Sequence, residues 1–451
     1  MNKKAPRKRG FLIVLAWGII ISIMLRFEDI ITDWQQIFPI AMSRDVAEVV
    51  ISIAPLILCL ILYLVFWPLW KNYMRSKFIF ETKHTLLEIK LPKDVFKSPL
   101  SMEVFLNAIN NTADGNFFGN YWKSGEKRPI YSLEIVSIEG RVRFFIRTED
   151  RRKGGVTAPL YSQYPGIEIN EVEDYTKPVH FDPKVSKMWA AEFVFTKPES
   201  YPIKTYVDYG LDKDPKEEYK VDPLLPMIEF LGSVGPNQQV WIQYIIRAHK
   251  DDQDKPGTWF GKTDTWKDSA NAEIDKIMKR DPKTKVAGTK SKDSDRVVPP
   301  SLSDGEKEIV AALGRSIAKP AFDVGIRAMY LAPKDTFQTQ FGVGGILASF
   351  KQFGTENLNG LKQNSSMWIA QFKGVPWEDF RGWRRAKYSK FALDAFKRRS
   401  YFDPPWNDGK PLVLNTEELA TLFHFPGQVS TTPTLDRVPS KKGQAPANIP
   451  I

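Results

Sequence analysis

The chain has 451 residues, 43% of them hydrophobic and 26% charged, a composition that supports a packed core and excludes wholesale disorder. Its formal charge is +11, which suits nucleic acid, anionic lipid or a cytoplasmic surface beside an acidic leaflet, the last two foremost. The single cysteine, Cys59, excludes an intrachain disulfide framework and a thiolate metal site.

Two uncharged apolar runs come first, Phe11–Leu25 and Val49–Trp70. The second has the length that a hydrocarbon core of roughly 30 Å demands, and the first reaches it if Gly10 and the residues up to Phe27 contribute. No small-x-small cleavage site follows the first run, which argues against a signal peptide. Lys3, Lys4, Arg7, Lys8 and Arg9 precede it, and Lys71, Arg75 and Lys77 follow the second. The loop between holds Arg26 and Arg44 against Glu28, Asp29, Asp33, Asp45 and Glu48. Lysine and arginine stay on the cytoplasmic side. The expectation is an anchor of two transmembrane helices over 1–77, in the inner membrane, with both termini cytoplasmic.

An α+β pattern follows. Over 78–185, Leu87, Ile89 and Leu91 alternate as a strand, and Met102, Phe105, Leu106 and Ile109 recur at helical spacing after Ser98 and Pro99. Tyr131, Leu133 and Ile135, then Val142, Phe144 and Ile146, form a hairpin around Glu139–Gly140. Thr157–Tyr164 predicts a helix, and Ile167 with Ile169 a last strand. The order is βαββαβ, the ferredoxin-like plan. A looser second copy spans 186–353. It runs through Trp189–Phe195, a helix opened by Asp222–Pro223, the strand Val240–Ala248, a helix capped by Ser303 and Glu306, and a final strand Phe322–Tyr330. Its second hairpin is replaced by a polar insertion over 249–300, with one polar helix at Thr263–Lys279 and a disordered Lys283–Pro300. A basic, aromatic region covers 354–426, and a flexible tail 427–451.

Motifs of catalysis are weak. Gly257–Thr263 (GTWFGKT) has three residues between its glycines where a P-loop needs four, and sits in the polar insertion. Gly342–Gly345 (GVGG) lacks the third glycine of a dinucleotide fold and suits tight packing. His84, His180, His249 and His424 are scattered, so no catalytic residue, metal or cofactor is expected. Two basic surfaces stand out. The strand Arg141–Arg147 puts Arg141, Arg143, Phe145 and Arg147 on one face, which suits single-stranded nucleic acid or a solvated or lipid-facing sheet. Residues Trp377–Trp406 interleave aromatic side chains such as Trp383 with Arg381, Arg384, Arg385, Arg398 and Arg399. They suit a helix packed on the domain, a docking surface, or contact with the inner leaflet.

Leu412–Pro426 (LVLNTEELATLFHFP) reads as a strand, a cap at Asn415 or Thr416, and a helix burying Leu419, Leu422 and Phe423. This segment resembles the lead-in to the ATPase core of HerA/FtsK-like conjugative DNA-transfer and type IV secretion ATPases. More broadly, Phe78–Ile451 is similar to the membrane-anchored N-terminal domain of such proteins. The resemblance implies a place beside a translocating motor. The sequence reaches Ile451 before any Walker A loop, so no catalytic residue is carried over. The expectation is a non-enzymatic, membrane-anchored platform for a separately encoded ATPase, with Leu419, Leu422 and Phe423 in a docking helix. The alternative is a membrane-tethered module for nucleic acid or anionic lipid. Membrane lipid, that ATPase, nucleic acid and a second copy are the partners in view.

Overall fold

The computed structural model describes residues 44–92, 97–112, 125–212, 221–250, 253–254, 262–278, 289–290, 297–298, 302–364, 379, 382–403, 410–426 and 437–438. The chain divides into two units, Met1–Tyr73 and Met74–Ile451.

The described part of the first unit belongs to one helix, α1 (Arg44–Glu81), which continues into the second. Its stretch Ile53–Glu81 is, among the described residues, the one helix long and apolar enough to cross a membrane. A helix satisfies its own backbone, as a hydrocarbon environment requires. Leu56, Leu60, Leu64 and Leu69 all point outward, with more than half of each side chain exposed. Together these leucines make an apolar surface along the helix. The other predicted span, Phe11–Leu25, lies outside the described residues.

The second unit is α+β, built on a mostly antiparallel sheet. Its first part contains β1 (His84–Pro92), α2 (Leu100–Ile109), β2 (Ile130–Ile138), β3 (Arg141–Glu149), α3 (Lys153–Gln163) and β4 (Glu168–Val172). The order across the sheet is β4-β1-β3-β2, every pair antiparallel. Pro99, not Ser98, caps α2, and without a side-chain bond. The Ser98 hydroxyl donates to the Leu211 carbonyl at 3.1 Å and accepts from the Leu100 amide at 3.4 Å.

The second part contains β5 (Ser186–Phe195), α4 (Leu225–Gly232), β6 (Gln239–Ala248), α5 (Thr265–Ile277), α6 (Asp304–Ile317), β7 (Ala321–Pro333), α7 (Gly344–Lys351) and β8 (Leu361–Gln363). Its order is β8-β5-β7-β6, again antiparallel throughout. This corrects the expected place of Phe322–Tyr330. The segment is not a last strand but an interior one, paired with β6 on one side and β5 on the other. The β6–β7 hairpin is therefore kept, and the polar insertion and the Ser303–Glu306 capped helix hang between its strands. The helix and strand that close this part are α7 and β8. Lys283–Pro300, apart from two short paired strands, and the first five residues of GTWFGKT lie outside the described residues.

The two parts join edge to edge. Strand β2 pairs with β6 from Ile130↔Arg247 to Ile138↔Gln239, giving one continuous sheet. The C-terminal region contributes α8 (Trp383–Arg398), β9 (Leu412–Asn415) and α9 (Thr416–Leu422). Strand β9 pairs with Ala321–Val324, the part of β7 that β5 leaves uncovered. A short strand β10 (Arg437–Val438) pairs parallel with Leu91 and Pro92 of β1.

Period-two alternation gives the sheet two apolar faces. Val142, Phe144 and Ile146 of β3 and Ile242, Tyr244 and Ile246 of β6 enter the larger core beneath α2, α3, α4, α7 and α9. Phe145, Val136, Trp241 and Met329 enter the smaller one, under Ala392, Leu393, Ala395 and Phe396 of α8. Two of the GVGG glycines serve close packing. A Cβ on Gly342 would meet the Tyr330 ring, and one on Gly345 the Phe230 ring.

Candidate interaction site

Helix α8 is amphipathic, and the division decides which of the basic residues can meet a partner. Ser389, Ala392, Leu393, Ala395 and Phe396 are buried, while Trp383, Arg384, Arg385, Tyr388, Phe391 and Arg398 are exposed. Gly382 enters the helix in the left-handed region, and its first turn is capped from upstream. The Asp379 carboxylate accepts from the Arg384 and Arg385 amides at 2.8 and 3.0 Å. Negative charge at a helix N-terminus is favourable. Arg381 lies outside the described residues.

The C-terminus of α8 is held by two buried guanidiniums. Arg327, from the middle of β7, donates to the carbonyls of Ser400 and Ala395 at 2.8 and 3.1 Å and to Gln243 Oε1 at 2.8 Å. Its plane lies over the Phe396 ring. Arg399 ends the helix with a φ of 53° and turns inward. There it grips Glu134 through two bonds, at 2.8 and 3.1 Å, and also pairs with Asp174. The Tyr175 and Ser132 hydroxyls donate to the same Glu134 carboxylate. Burial alone would raise the Glu134 carboxyl, but the Arg399 charge and these donors hold it below the usual range.

The structure disperses the other predicted site residues. Arg141 is exposed, and Arg143 reaches Glu88 at 3.6 Å. Phe145 is 2% exposed and stacks on Tyr175, so the ring expected to receive a base is covered. Arg399, expected on the surface, is interior. Leu419, Leu422 and Phe423 are wholly buried in the larger core, where α9 packs against α2. That burial is what the helix pattern predicts, and it commits these side chains to the fold rather than to a partner's surface. The helix does carry the expected cap, with Asn415 and Glu418 in a reciprocal box.

Two histidines are engaged in ion pairs that the sequence reading passed over. His424, buried behind α9, donates to the Ala420 carbonyl and to Asp222 at 3.1 Å. His249 links the end of β6 to β7 and to the insertion, with Nδ1 at 2.5 Å from Asp323 and Nε2 at 3.4 Å from Asp264. Asp264 is the N-cap of α5. Burial opposes the His249 charge, but Asp323 and Asp264 outweigh it and raise its pKa above 6.5. A raised histidine stabilises fully below the unfolded value and loses that contribution as pH rises through the folded one. Amide exchange of 262–278, corrected for its intrinsic pH dependence, should therefore accelerate above that folded value. In His249→Gln it should be pH-independent. Parallel curves for the two proteins would refute the linkage.

Among the described residues, no cluster of histidine, cysteine or carboxylate side chains could hold a metal ion. Residues 78–438 match the model of a family described as a domain of unknown function, DUF8128. No curated protein matches the chain.

Proposed function

We propose, for a chain that belongs to the DUF8128 family, a membrane-anchored docking platform without catalysis of its own. It serves a separately encoded ATPase of the HerA/FtsK-like conjugation and type IV secretion class. The observation that carries this is the outer face of α8. Outside α1, three of the exposed large apolar side chains, Trp383, Tyr388 and Phe391, stand on this one helix among arginines. Aromatic and arginine side chains dominate binding energy at protein interfaces. A helix fixed to a sheet by buried guanidiniums presents them with little ordering cost on binding.

Other features support parts of the reading. The apolar stretch of α1 supports anchoring, and the lysines and arginines flanking the two apolar runs support an inner-membrane orientation with both termini cytoplasmic. The orders β4-β1-β3-β2 and β8-β5-β7-β6 support two ferredoxin-like units joined through β2 and β6. Glu134, Asp323, His249 and His424 are committed to ion pairs within the fold, which favours a structural over a chemical use of these groups. The motif that resembles a motor lead-in, β9 with α9, occupies the larger core, which favours α8 over α9 as the contact. Nucleic acid is the weaker reading, because its stacking ring, Phe145, is covered. The test is capture of the ATPase by full-length protein and by a Trp383→Ala, Tyr388→Ala, Phe391→Ala variant, whose substitutions leave both cores intact.

A further inference from the structure

A cavity of about 460 Å³ opens against the last turns of α1, walled by Ser76–Phe80 on one side and by β2, β3 and the end of α8 on the other. That is room for a headgroup and its phosphate. Five cations line it, against two acids, Glu149 and Asp403. Both acids are already neutralised, Asp403 by Lys127 and Glu149 by Arg151 and Arg152. Arg399 is consumed by Glu134 and Asp174, and Arg128 donates to the Ala248 carbonyl.

Arg147 differs. Its backbone is paired in the sheet, but its half-buried guanidinium, in the cavity wall, makes no hydrogen bond or ion pair with any described residue. Glu134 and Asp174 act on it only through space, and Arg399 repels it. A guanidinium carries five donors in a planar fork that matches phosphate oxygens. Holding it partly desolvated without an acceptor is costly. An anion in the cavity would remove that cost.

The position of the cavity selects the anion. Its wall is the same helix that carries the apolar stretch, beginning a few residues past Trp70. At its rim Phe80 is 92% exposed, an apolar ring open to the surroundings. A basic pocket at the cytoplasmic end of a membrane helix suits a lipid headgroup, and an exposed ring beside it suits the boundary between headgroup and acyl chain. We infer that this cavity seats the phosphate of an anionic phospholipid, with Arg147 on the phosphate and Phe80 against the root of the acyl chains. The site rests on the anchor in the reading above and not on the motor, so loss of ATPase capture leaves it standing.

The test is native mass spectrometry of the full-length chain in detergent with phosphatidylglycerol, phosphatidylcholine or free glycerol phosphate. Phosphatidylglycerol should remain bound, and phosphatidylcholine should not. Arg147→Gln should lower retention about tenfold or more, the loss expected for one charge-assisted bond. Phe80→Ala, a surface change that leaves the fold intact, should lower retention of the lipid while leaving glycerol phosphate unaffected. Lys187→Gln, a basic residue away from the cavity, should change nothing. Equal retention of both lipids, or of phosphatidylglycerol by parent and both cavity variants, would overturn the assignment. Glycerol phosphate binding as tightly as the lipid would assign the site to soluble phosphate and overturn it as well.

Discussion

Phe423→Ala should destabilise the second unit by about 3–5 kcal/mol, the range for deleting a buried phenyl ring from a core that collapses only partly. The ring is wholly buried and sits among Phe144, Tyr244 and Phe425, with centroids 5.9, 6.3 and 6.0 Å away. These neighbours come from β3, β6 and the chain just past α9, so the ring bridges the two halves of the sheet. Rigid strands on two sides leave little freedom to close the void. Denaturant unfolding of full-length protein in detergent should show a lower midpoint at an unchanged slope. A loss below about 1 kcal/mol would mean that α9 is peripheral, and the packing account would fail.

Arg399→Met should cost about 3–5 kcal/mol, because it strands Glu134 without its counter-charge. Glu134 is fully buried, so water cannot replace the guanidinium. The pH dependence carries a sign that separates this from lost packing. In the parent, the Glu134 carboxyl is held below 4.5, so its contribution is present above that pH and fades as pH falls through the folded value. In Arg399→Met the stranded carboxyl is raised, and the variant should regain part of its deficit on acidification. Adding Glu134→Leu should also restore stability at neutral pH, since an apolar pair of similar volume often replaces a buried ion pair without loss. A deficit insensitive to both changes would place the effect in the left-handed helix end instead.

Much of this architecture was legible in alternation. Leu87, Ile89 and Leu91, or Val142, Phe144 and Ile146, can only form strands with one face in a core, and each does. The capping signals at Ser303–Glu306 and at Asn415 were equally readable, because a short side chain three residues before a glutamate meets two orphan amides. The place of β7 was not. A strand between β5 and β6 alternates like any other, and order along the chain does not tell which neighbours it takes. The long insertion before it disguised a hairpin as a break.

The site residues were harder for a related reason. Arg399 and Arg398 are adjacent and chemically identical, yet one is interior and the other exposed, because the backbone turns left-handed between helix and loop. Helical periodicity carries no information past the helix end. The covering of Phe145 depends on Tyr175 and α8, far away in sequence. One signal was available. Glu134 and Arg327 stand in the middle of mainly apolar strands, and a charge in such a position predicts a buried partner.

We propose that the outer face of α8 receives a motor. The direct measurement is capture of the HerA/FtsK-like ATPase encoded nearest to this chain, by full-length protein and by the Trp383→Ala, Tyr388→Ala, Phe391→Ala variant, at low and high salt. The parent should capture the motor, and capture should fall only modestly with salt, since aromatic burial is insensitive to ions. The variant, folded and still in the membrane fraction, should capture little. Equal capture by both proteins, or capture that vanishes with salt as nucleic-acid binding does, would contradict the claim.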